Sequence, residues 1–239
     1  MSYTAVFRRH EIKYLLTREQ YLTLLPQIAP YMALESYGKT TIRNIYFDTD
    51  SFRLIRRSIE KPVYKEKLRL RTYGKEYSKD NVFMELKKKF ESVVYKRRIA
   101  VDESDALRWL CQKTSPGIQS QIADEITYFI RYYETLRPRV FLSYERQAYY
   151  CKAGSDLRIT FDENILCRDY DLNLSAFIGG TSILDDHKVL MEIKTAGGMP
   201  LWLVRLLSQH RIYKSAFSKY GTAYESIILP KQKGVLFHA

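Results

Sequence analysis

Tyr64-Lys65-Glu66-Lys67-Leu68-Arg69-Leu70-Arg71-Thr72-Tyr73 reads with a period of two. Lys65, Lys67, Arg69 and Arg71 share one parity. Tyr64, Leu68 and Leu70 share the other, interrupted by Glu66 and Thr72. Alternate side chains of a β-strand lie on opposite faces. The stretch is therefore a strand with a column of four cations on one face and a largely apolar column behind it.

The same pattern recurs along the chain. In residues 3–15, Arg9, Glu11 and Lys13 alternate with His10, Ile12 and Tyr14. Thr41 to Phe47 sets Ile42, Asn44 and Tyr46 against Arg43, Ile45 and Phe47. From Asn81 to Lys89, Phe83, Glu85, Lys87 and Lys89 oppose Val82, Met84 and Leu86; Gly74 to Asp80 before it reads as a hairpin loop. From Ser92 to Val101, Val94, Lys96 and Arg98 oppose Val93, Tyr95, Arg97 and Ile99. Residues 137–150 carry Arg139 and Arg146 on opposite parities, and 156–163 set Arg158, Thr160 and Asp162 against Leu157, Ile159 and Phe161. A polar loop with Gly179-Gly180 leads to an eighth strand, where Lys188, Leu190, Glu192 and Lys194 alternate with Val189, Met191 and Ile193.

Helices fall between these strands. Thr17 and Gln20 have capping-box spacing ahead of Tyr21, Leu24, Leu25 and Ile28, and this helix stops near Pro30. Asp50 is placed to cap a short helix through Ile59. Asp102 or Ser104 caps a helix through Lys113 with Leu107, Leu110 and Cys111 inward, and another spans about Ser120 to Glu134. Pro200 suits the start of a helix to about His210, and Ser215 to Tyr220 reads as a basic tail.

Eight half-charged, half-apolar strands do not suit a sandwich, whose inner faces are apolar. The expected fold is α+β: a closed eight-stranded antiparallel β-barrel with a charged lumen and helices packed outside, in one domain over 1–239. Hydrophobic residues at 46% support a core. Lys and Arg outnumber Asp and Glu by 39 to 27, a net +12, which points to an anionic partner. Three cysteines without C-x-x-C spacing fit a reducing compartment, and a cytoplasmic location is expected. No leader-like apolar run and no stretch long enough to span a membrane is found.

The cations on the charged parity are Lys13, Arg69, Arg71, Lys87, Lys96, Arg98, Arg146, Arg158 and Lys194. Arginine forks match phosphate oxygens in pairs, and lysines supply point charges. So many exceed the need of one carboxylate or monophosphate and suit a chain of phosphates. Glu11, Glu85 and Glu192 share these faces. An acid among them either pairs with a neighbouring cation or binds a divalent metal together with phosphate oxygens. Glu192, in Met191-Glu192-Ile193-Lys194, is the first choice for the metal. A P-loop, a G-x-S-x-G elbow and a paired-histidine zinc motif are absent, which sets aside those chemistries. The 20 tyrosines are spread along the chain and are expected between barrel and helices rather than on nucleic-acid bases.

Several stretches resemble the VTC-type polyphosphate polymerase domain of the CYTH-like triphosphate tunnel metalloenzymes. They are Phe7-Arg-Arg-His-Glu-Ile-Lys-Tyr14, Ile45-Tyr-Phe-Asp-Thr49, Lys67-Leu-Arg-Leu-Arg-Thr-Tyr-Gly74, Val82-Phe-Met-Glu-Leu-Lys87 and Tyr95-Lys-Arg-Arg98. Tyr144-Glu-Arg-Gln-Ala-Tyr149, Leu157-Arg-Ile-Thr-Phe-Asp162, Val189-Leu-Met-Glu-Ile-Lys194 and Phe217-Ser-Lys-Tyr220 continue the match in order. The resemblance implies an eight-stranded antiparallel tunnel in which ATP donates its γ-phosphate to a growing polyphosphate chain, with Mn²⁺ or Mg²⁺. It implies phosphate ligands at Lys13, Arg69, Arg71, Lys87, Lys96, Arg146, Arg158 and Lys219, and a metal carboxylate at Glu192. Arg98 and Lys194 rest on parity and position. Hydrolytic relatives carry E-x-E-x-K in the first strand, whereas here Arg9 precedes Glu11 and Lys13, which favours transfer to phosphate over transfer to water. Relative to the larger eukaryotic assemblies, a stand-alone catalytic domain is expected.

Three functions stay open at this level. The leading one is a polyphosphate polymerase with ATP and inorganic polyphosphate or triphosphate as partners. Against it stand a metal-dependent triphosphatase of the same fold and a non-catalytic polyphosphate or nucleic-acid binding module. No specific nucleic-acid partner is expected.

Overall fold

The computed structural model describes residues 6–74, 82–91 and 93–236. The loop expected over 75–80 and the strand starts expected at Tyr3, Asn81 and Ser92 lie outside the described residues. In chain order the strands are β1 (Val6–Thr17), β2 (Met32–Asp48), β3 (Tyr64–Tyr73), β4 (Phe83–Phe90), β5 (Val93–Ala100), β6 (Arg137–Cys151), β7 (Arg158–Arg168), β8 (Thr181–Ser182) and β9 (Lys188–Thr195). The helices are α1 (Arg18–Ile28), α2 (Arg53–Ile59), α3 (Glu103–Gln112), α4 (Gln121–Tyr132), α5 (Leu201–Gln209), α6 (Lys219–Ala223) and α7 (Leu229–Leu236), with a π-helical turn, Tyr224–Ile228, between the last two.

The described strands form one antiparallel sheet in the order β6-β2-β3-β4-β5-β1-β9-β7-β8, and β6 also pairs with β7. Two expectations are corrected. The sheet has nine strands, not eight: β8 is a two-residue ribbon on β7. Gly180 permits it, since a Cβ there would run into the Cys167 carbonyl and its φ of 137° suits glycine. The sheet is also not closed into a barrel. β1 pairs with β5 through Val6–Arg9 and with β9 through His10–Thr17, so no β1 residue is laddered on both sides. The two eight-residue partners occupy opposite ends of a twelve-residue strand, and the ladder is interrupted between them.

The apolar parity faces outward under helices, as expected, over much of the sheet. Leu68, Leu70, Met84 and Leu86 pack with Trp109, Ile126, Phe129 and Ile130 of α3 and α4. Leu16, Ile159, Met191 and Ile193 pack with Leu24, Ile28, Leu203 and Leu207 of α1 and α5. The sequence capping signal holds for α1, where Thr17 and Gln20 form the capping box; α4 starts where expected, and there Ser120 caps it by accepting from the Ala123 N–H. In α3, Leu110 is buried, but Cys111 is exposed and Leu107 largely so, against expectation. The axis of α3 directs Ala106, Trp109 and Leu110 inward, a narrower face than the sequence suggested.

A third cluster departs from the expected division of faces. Val140, Leu142 and Leu190 occupy the same alternate positions as Arg146 and Glu192, yet pack with Phe52, Ile55, Tyr220, Tyr224 and Ile228. Asn164, at φ 50° and beside a register shift, brings Ile165 and Cys167 into the same group. The inner face is therefore charged along part of its length and apolar where α2, α6 and the π turn cover it. Ser215 to Tyr220 is accordingly not a free basic tail: Ser218 caps α6, and Lys219 and Tyr220 are buried.

Asp48 ties this cover to the sheet. Its fully buried carboxylate accepts from the N–H groups of Thr49 (2.8 Å), Leu54 (2.9 Å) and Ile55 (2.9 Å) and from the Tyr220 hydroxyl (3.0 Å). Asp48, rather than Asp50, thus satisfies the first turn of α2, whose N-cap, Phe52, makes no side-chain cap bond. Asp48→Ala orphans these donors and is expected to destabilise the protein by about 3 kcal/mol, with Tyr220→Phe costing about 1 kcal/mol, read from urea unfolding midpoints. Equal midpoints for Asp48→Ala and wild type would remove Asp48 as the tie.

Candidate functional site

Arg69 and Arg71 stand two residues apart on β3, so one face of the strand carries both. Glu85 on β4 lies directly opposite Arg69, and Arg98 on β5 directly opposite Glu85. Register alone therefore brings an acid between two arginines. Arg69 donates through Nε (2.9 Å) and Nη2 (2.7 Å) to one Glu85 oxygen. Arg98 Nε and Lys96 Nζ each reach the other oxygen at 2.7 Å, and Arg71 Nη1 lies 3.9 Å from the oxygen that Arg69 holds. Burial pushes the Glu85 carboxyl up, but Arg71, Lys96, Arg69 and Arg98 outweigh it and hold the group well below the usual carboxylate range. Hydroxyls and an amide fix the arginines further. Arg69 donates to Tyr46 Oη (2.8 Å), and Arg71 to Asn44 Oδ1 (2.8 Å) and Tyr144 Oη (3.0 Å). Arg98 also donates to Tyr73 Oη.

A second cluster forms where β1, β6, β7, β9 and α6 meet. Glu192 lies opposite Lys13 on one side and Thr160 on the other. Its oxygens are 2.8 Å from Lys194 Nζ, 3.3 Å from Lys219 Nζ and 3.5 Å from both Lys13 Nζ and Arg146 Nη2. Asp162, opposite Arg146 in register, takes a bidentate bond from it at 2.6 and 2.7 Å and a 2.5 Å contact from Lys219. Burial raises the Glu192 and Asp162 carboxyls. Lys194, Lys219, Lys13 and Arg146 reverse this at Glu192, and Arg146 and Lys219 at Asp162, so both groups end below their ordinary values. Lys219 is itself raised: Asp162 and Glu192 outweigh its burial.

Tyr144 joins the clusters. Arg71 donates to its hydroxyl, while Lys219 Nζ and the Arg146 guanidinium lie 4.6 and 5.1 Å from the ring centre. At the β1–β4 side, Lys87 bonds Glu11 at 2.6 Å. Burial raises the Glu11 carboxyl, and Lys87 and Lys194 bring it down to about 2.

The structure thus gathers Lys13, Arg69, Arg71, Lys87, Lys96, Arg98, Arg146, Lys194, Lys219, Glu11, Glu85 and Glu192 in three sets of ion pairs, around Glu85, Glu192 and Glu11. Arg158 stands apart. It lies opposite Lys194, is half-exposed, and meets Glu35 at 3.7 Å and the Tyr150 ring at 5.5 Å. Sequence reasoning did not single out Asp162, although its parity with Arg158 and Thr160 was visible. Asn44, Tyr46 and Tyr144 were also missed, and several tyrosines hold arginines rather than only filling space beneath helices.

Among the described residues, no group of three or more His, Cys, Asp and Glu is placed to hold a metal. Glu85 is saturated by cations. Glu192 and Asp162 flank the Lys219 ammonium, and Glu192 meets three of its four cations at 3.3 Å or beyond. Such hard oxygens suit Mg²⁺ or Mn²⁺ when one or two carboxylates combine with phosphate oxygens.

The VTC domain profile matches residues 8–228. Vacuolar transporter chaperone complex subunit 4 of Trypanosoma brucei brucei is 26% identical over 214 residues, covering 71% of this chain. The chain spans only 27% of the length of that curated relative. Among solved structures, a candidate adenylate cyclase from Bacillus halodurans superposes with a TM-score of 0.56 at 15% identity, covering 90% of this chain and 96% of that one. A candidate adenylyl cyclase from Hippeastrum, described as having a dominant triphosphatase activity, gives 0.55 at 18% identity, covering 92% and 96%. At these identities the likeness concerns the fold. No helix among the described residues is long and apolar enough to cross a membrane.

The depressed carboxylates predict an acid-sensitive fold. A carboxyl lowered in the folded state contributes stability that is present above its unfolded value and lost as pH falls through the folded one. For Glu11 that window runs from 4.5 down to about 2, and Glu85, Glu192 and Asp162 act in the same direction. The urea midpoint should therefore fall steadily on acidification through that window. Glu85→Gln, which leaves its cations without their acid, should cost about 3–5 kcal/mol at neutral pH. A pH-independent midpoint would show that these ion pairs contribute nothing to the fold.

Proposed function

The chain belongs to the VTC domain family, and from that premise we propose that it is a polyphosphate polymerase. It would transfer the γ-phosphate of ATP to a growing inorganic polyphosphate chain within the basic interior of the sheet. One observation supports this reading above the rest: cations from β1, β3, β4, β5, β6, β9 and α6 converge on one inner face, far beyond the need of a single phosphate.

In this reading a terminal oxygen of the acceptor chain attacks the γ-phosphorus, the bond from that phosphorus to the β-bridging oxygen breaks, and ADP carries away the electron pair. Arg69, Arg71, Lys96 and Arg98 bind and orient phosphate oxygens from the Glu85 side. Lys13, Arg146, Lys194 and Lys219 do so from the Glu192 side, Lys87 completes the set, and Arg158 acts at the rim. The work of the residues is positioning and charge stabilisation of a loose transfer. No side-chain nucleophile is needed. A divalent ion, Mn²⁺ or Mg²⁺, would supply charge neutralisation on the transferring phosphate, with Glu192 as its main protein ligand and Glu11 nearby. Glu85 is the weaker candidate, because its oxygens are already occupied. The free cysteines suit a reducing compartment such as the cytoplasm.

A triphosphatase, with water as acceptor, is the second reading, favoured by the activity described for the Hippeastrum neighbour of the same fold. Incubation with ATP and Mn²⁺ or Mg²⁺, with products resolved by size, separates the two: chains that lengthen with time support the polymerase, and orthophosphate alone overturns it. Glu192→Gln should lower turnover by about 10²-fold or more, the scale of losing one electrostatic element of a transition state. The variant should bind tripolyphosphate without metal at least as well as the wild type, since a negative charge has left a basic site. Arg69→Ala should weaken that binding. Undiminished turnover in Glu192→Gln would return Glu192 to the role of an ion-pair partner.

A further inference from the structure

Lys67 differs from the other inner-face cations. Arg69, Arg71, Lys96 and Arg98 share Glu85, Lys87 has Glu11, and Lys13, Arg146, Lys194 and Lys219 have Glu192. Among the described residues no ion pair is found for Lys67. Its Nζ is 3.4 Å from Ser218 Oγ and 5.8 Å from the centre of the Tyr220 ring. The charged groups that act on it most strongly among the described residues are cationic: Lys65 and Arg69 from its own strand, Lys87 from β4, directly opposite in register, and Lys13 from β1. Lys65 gives its ammonium to the Ser58 carbonyl at 3.0 Å, and Lys89 stands opposite Lys65. The row Lys67, Lys65, Lys89 therefore continues the basic face away from the Glu85 cluster, with no ion pair to an acid found for these three among the described residues.

A half-buried ammonium surrounded by ammonium and guanidinium groups is costly unless an anion joins it. The neighbouring donors also suit hard oxygens. Ser218 Oγ accepts from the Gly221 N–H at 3.2 Å, which leaves its own proton to donate. We propose that Lys67, with Ser218 and the flanking Lys65 and Lys87, forms a further phosphate subsite that holds an additional unit of a linear polyphosphate beyond those bound at the acid-balanced clusters. The inference rests on the polyphosphate reading and adds to it the path by which a chain longer than a triphosphate is held.

The arrangement has a proton signature. Burial, then Lys13, Lys87, Lys65 and Arg69, pull the Lys67 ammonium down to about 7. A phosphate brought alongside restores it, so chain binding at about pH 8 takes up a proton at this position.

Titration calorimetry of the full chain, free of metal, tests this with pyrophosphate, tripolyphosphate and a longer linear polyphosphate, each in two buffers of different protonation enthalpy at about pH 8. Lys67→Met should weaken the longer chain by about tenfold or more, the loss growing with chain length. Lys67→Arg should keep the affinity and lower the proton uptake seen in the wild type, the remainder coming from other lysines of the inner face that burial also depresses. If Lys67→Met binds the longer chain as the wild type does while Arg69→Ala does not, the subsite is overturned and the polyphosphate reading stands. Proton uptake undiminished in Lys67→Arg likewise overturns the assignment to Lys67. A wild-type protein that binds none of the three anions overturns the polyphosphate reading and the subsite together.

Discussion

Glu85 carries four cations on two oxygens, and the inner face of the sheet depends on contacts of this kind. Arginines and lysines drawn together from adjacent strands repel one another and lose hydration. An ion pair in that setting contributes little net stability, but removing its acid leaves the cations uncompensated. The strand register meets this constraint directly. Arg69 and Arg98 flank Glu85, Lys13 faces Glu192, and Arg146 faces Asp162 across neighbouring strands. A slip of one residue in any of these ladders would turn the acids outward and expose the apolar parity. The outer helices and the inner charges therefore specify the same register from opposite sides of the sheet.

The chain returns to the inner face at its C-terminal end, and this completes the second cluster. Lys219 reaches Asp162 and Glu192 from α6, while the next residue, Tyr220, stacks on Tyr46 and donates to Asp48. Asp48 in turn holds the first turn of α2. The cation is thus placed by a chain of buried contacts rather than by a flexible surface segment. The Lys13 ammonium donates to the Phe217 carbonyl at 3.0 Å and fixes the entry to α6 against β1. Packing at the apolar end of the inner face and charge placement at its centre are one problem with one solution.

Much of this was legible in strand parity. Leu68 and Leu70 against Arg69 and Arg71 assign the faces of β3 by alternation alone, and the same reading places Glu85, Lys87, Lys96 and Glu192 inside. Parity fails where a strand does more than alternate. The left-handed Asn164 switches the face of β7, and the interrupted ladder at β1 depends on partner lengths that no local pattern records. β8 is too short to carry a period. Asp162 was passed over because an acid beside Arg158 reads as an ordinary surface residue until Arg146 and Lys219 arrive from distant segments. Lys219 has no periodic context at all, and only the resemblance of Phe217-Ser-Lys-Tyr220 pointed to it. Cys111 was misplaced because an apolar label says nothing about which side of a short amphipathic helix faces the sheet.

The two kinds of cation are used differently. Arg69, Arg98 and Arg146 are held as forks against a carboxylate, the first two also by a tyrosine hydroxyl, and Arg71 is held by the Asn44 amide and the Tyr144 hydroxyl. A guanidinium fixed in this way presents its remaining donors in set directions and defines a phosphate position. Lys13, Lys67, Lys87 and Lys194 end in compact ammonium groups on longer, more flexible stems, each held by one or two carbonyl, hydroxyl or carboxylate oxygens rather than as a planar fork. A ligand bound by forks alone would be locked in one register. A repeating anion that must advance by one phosphate after each addition needs some of its contacts to let go and re-form at the next oxygen. In the proposed polymerase, fixed arginines beside Glu85 and Asp162 would hold the transferring phosphate still, and lysines between and beyond them would let the rest of the chain move past it.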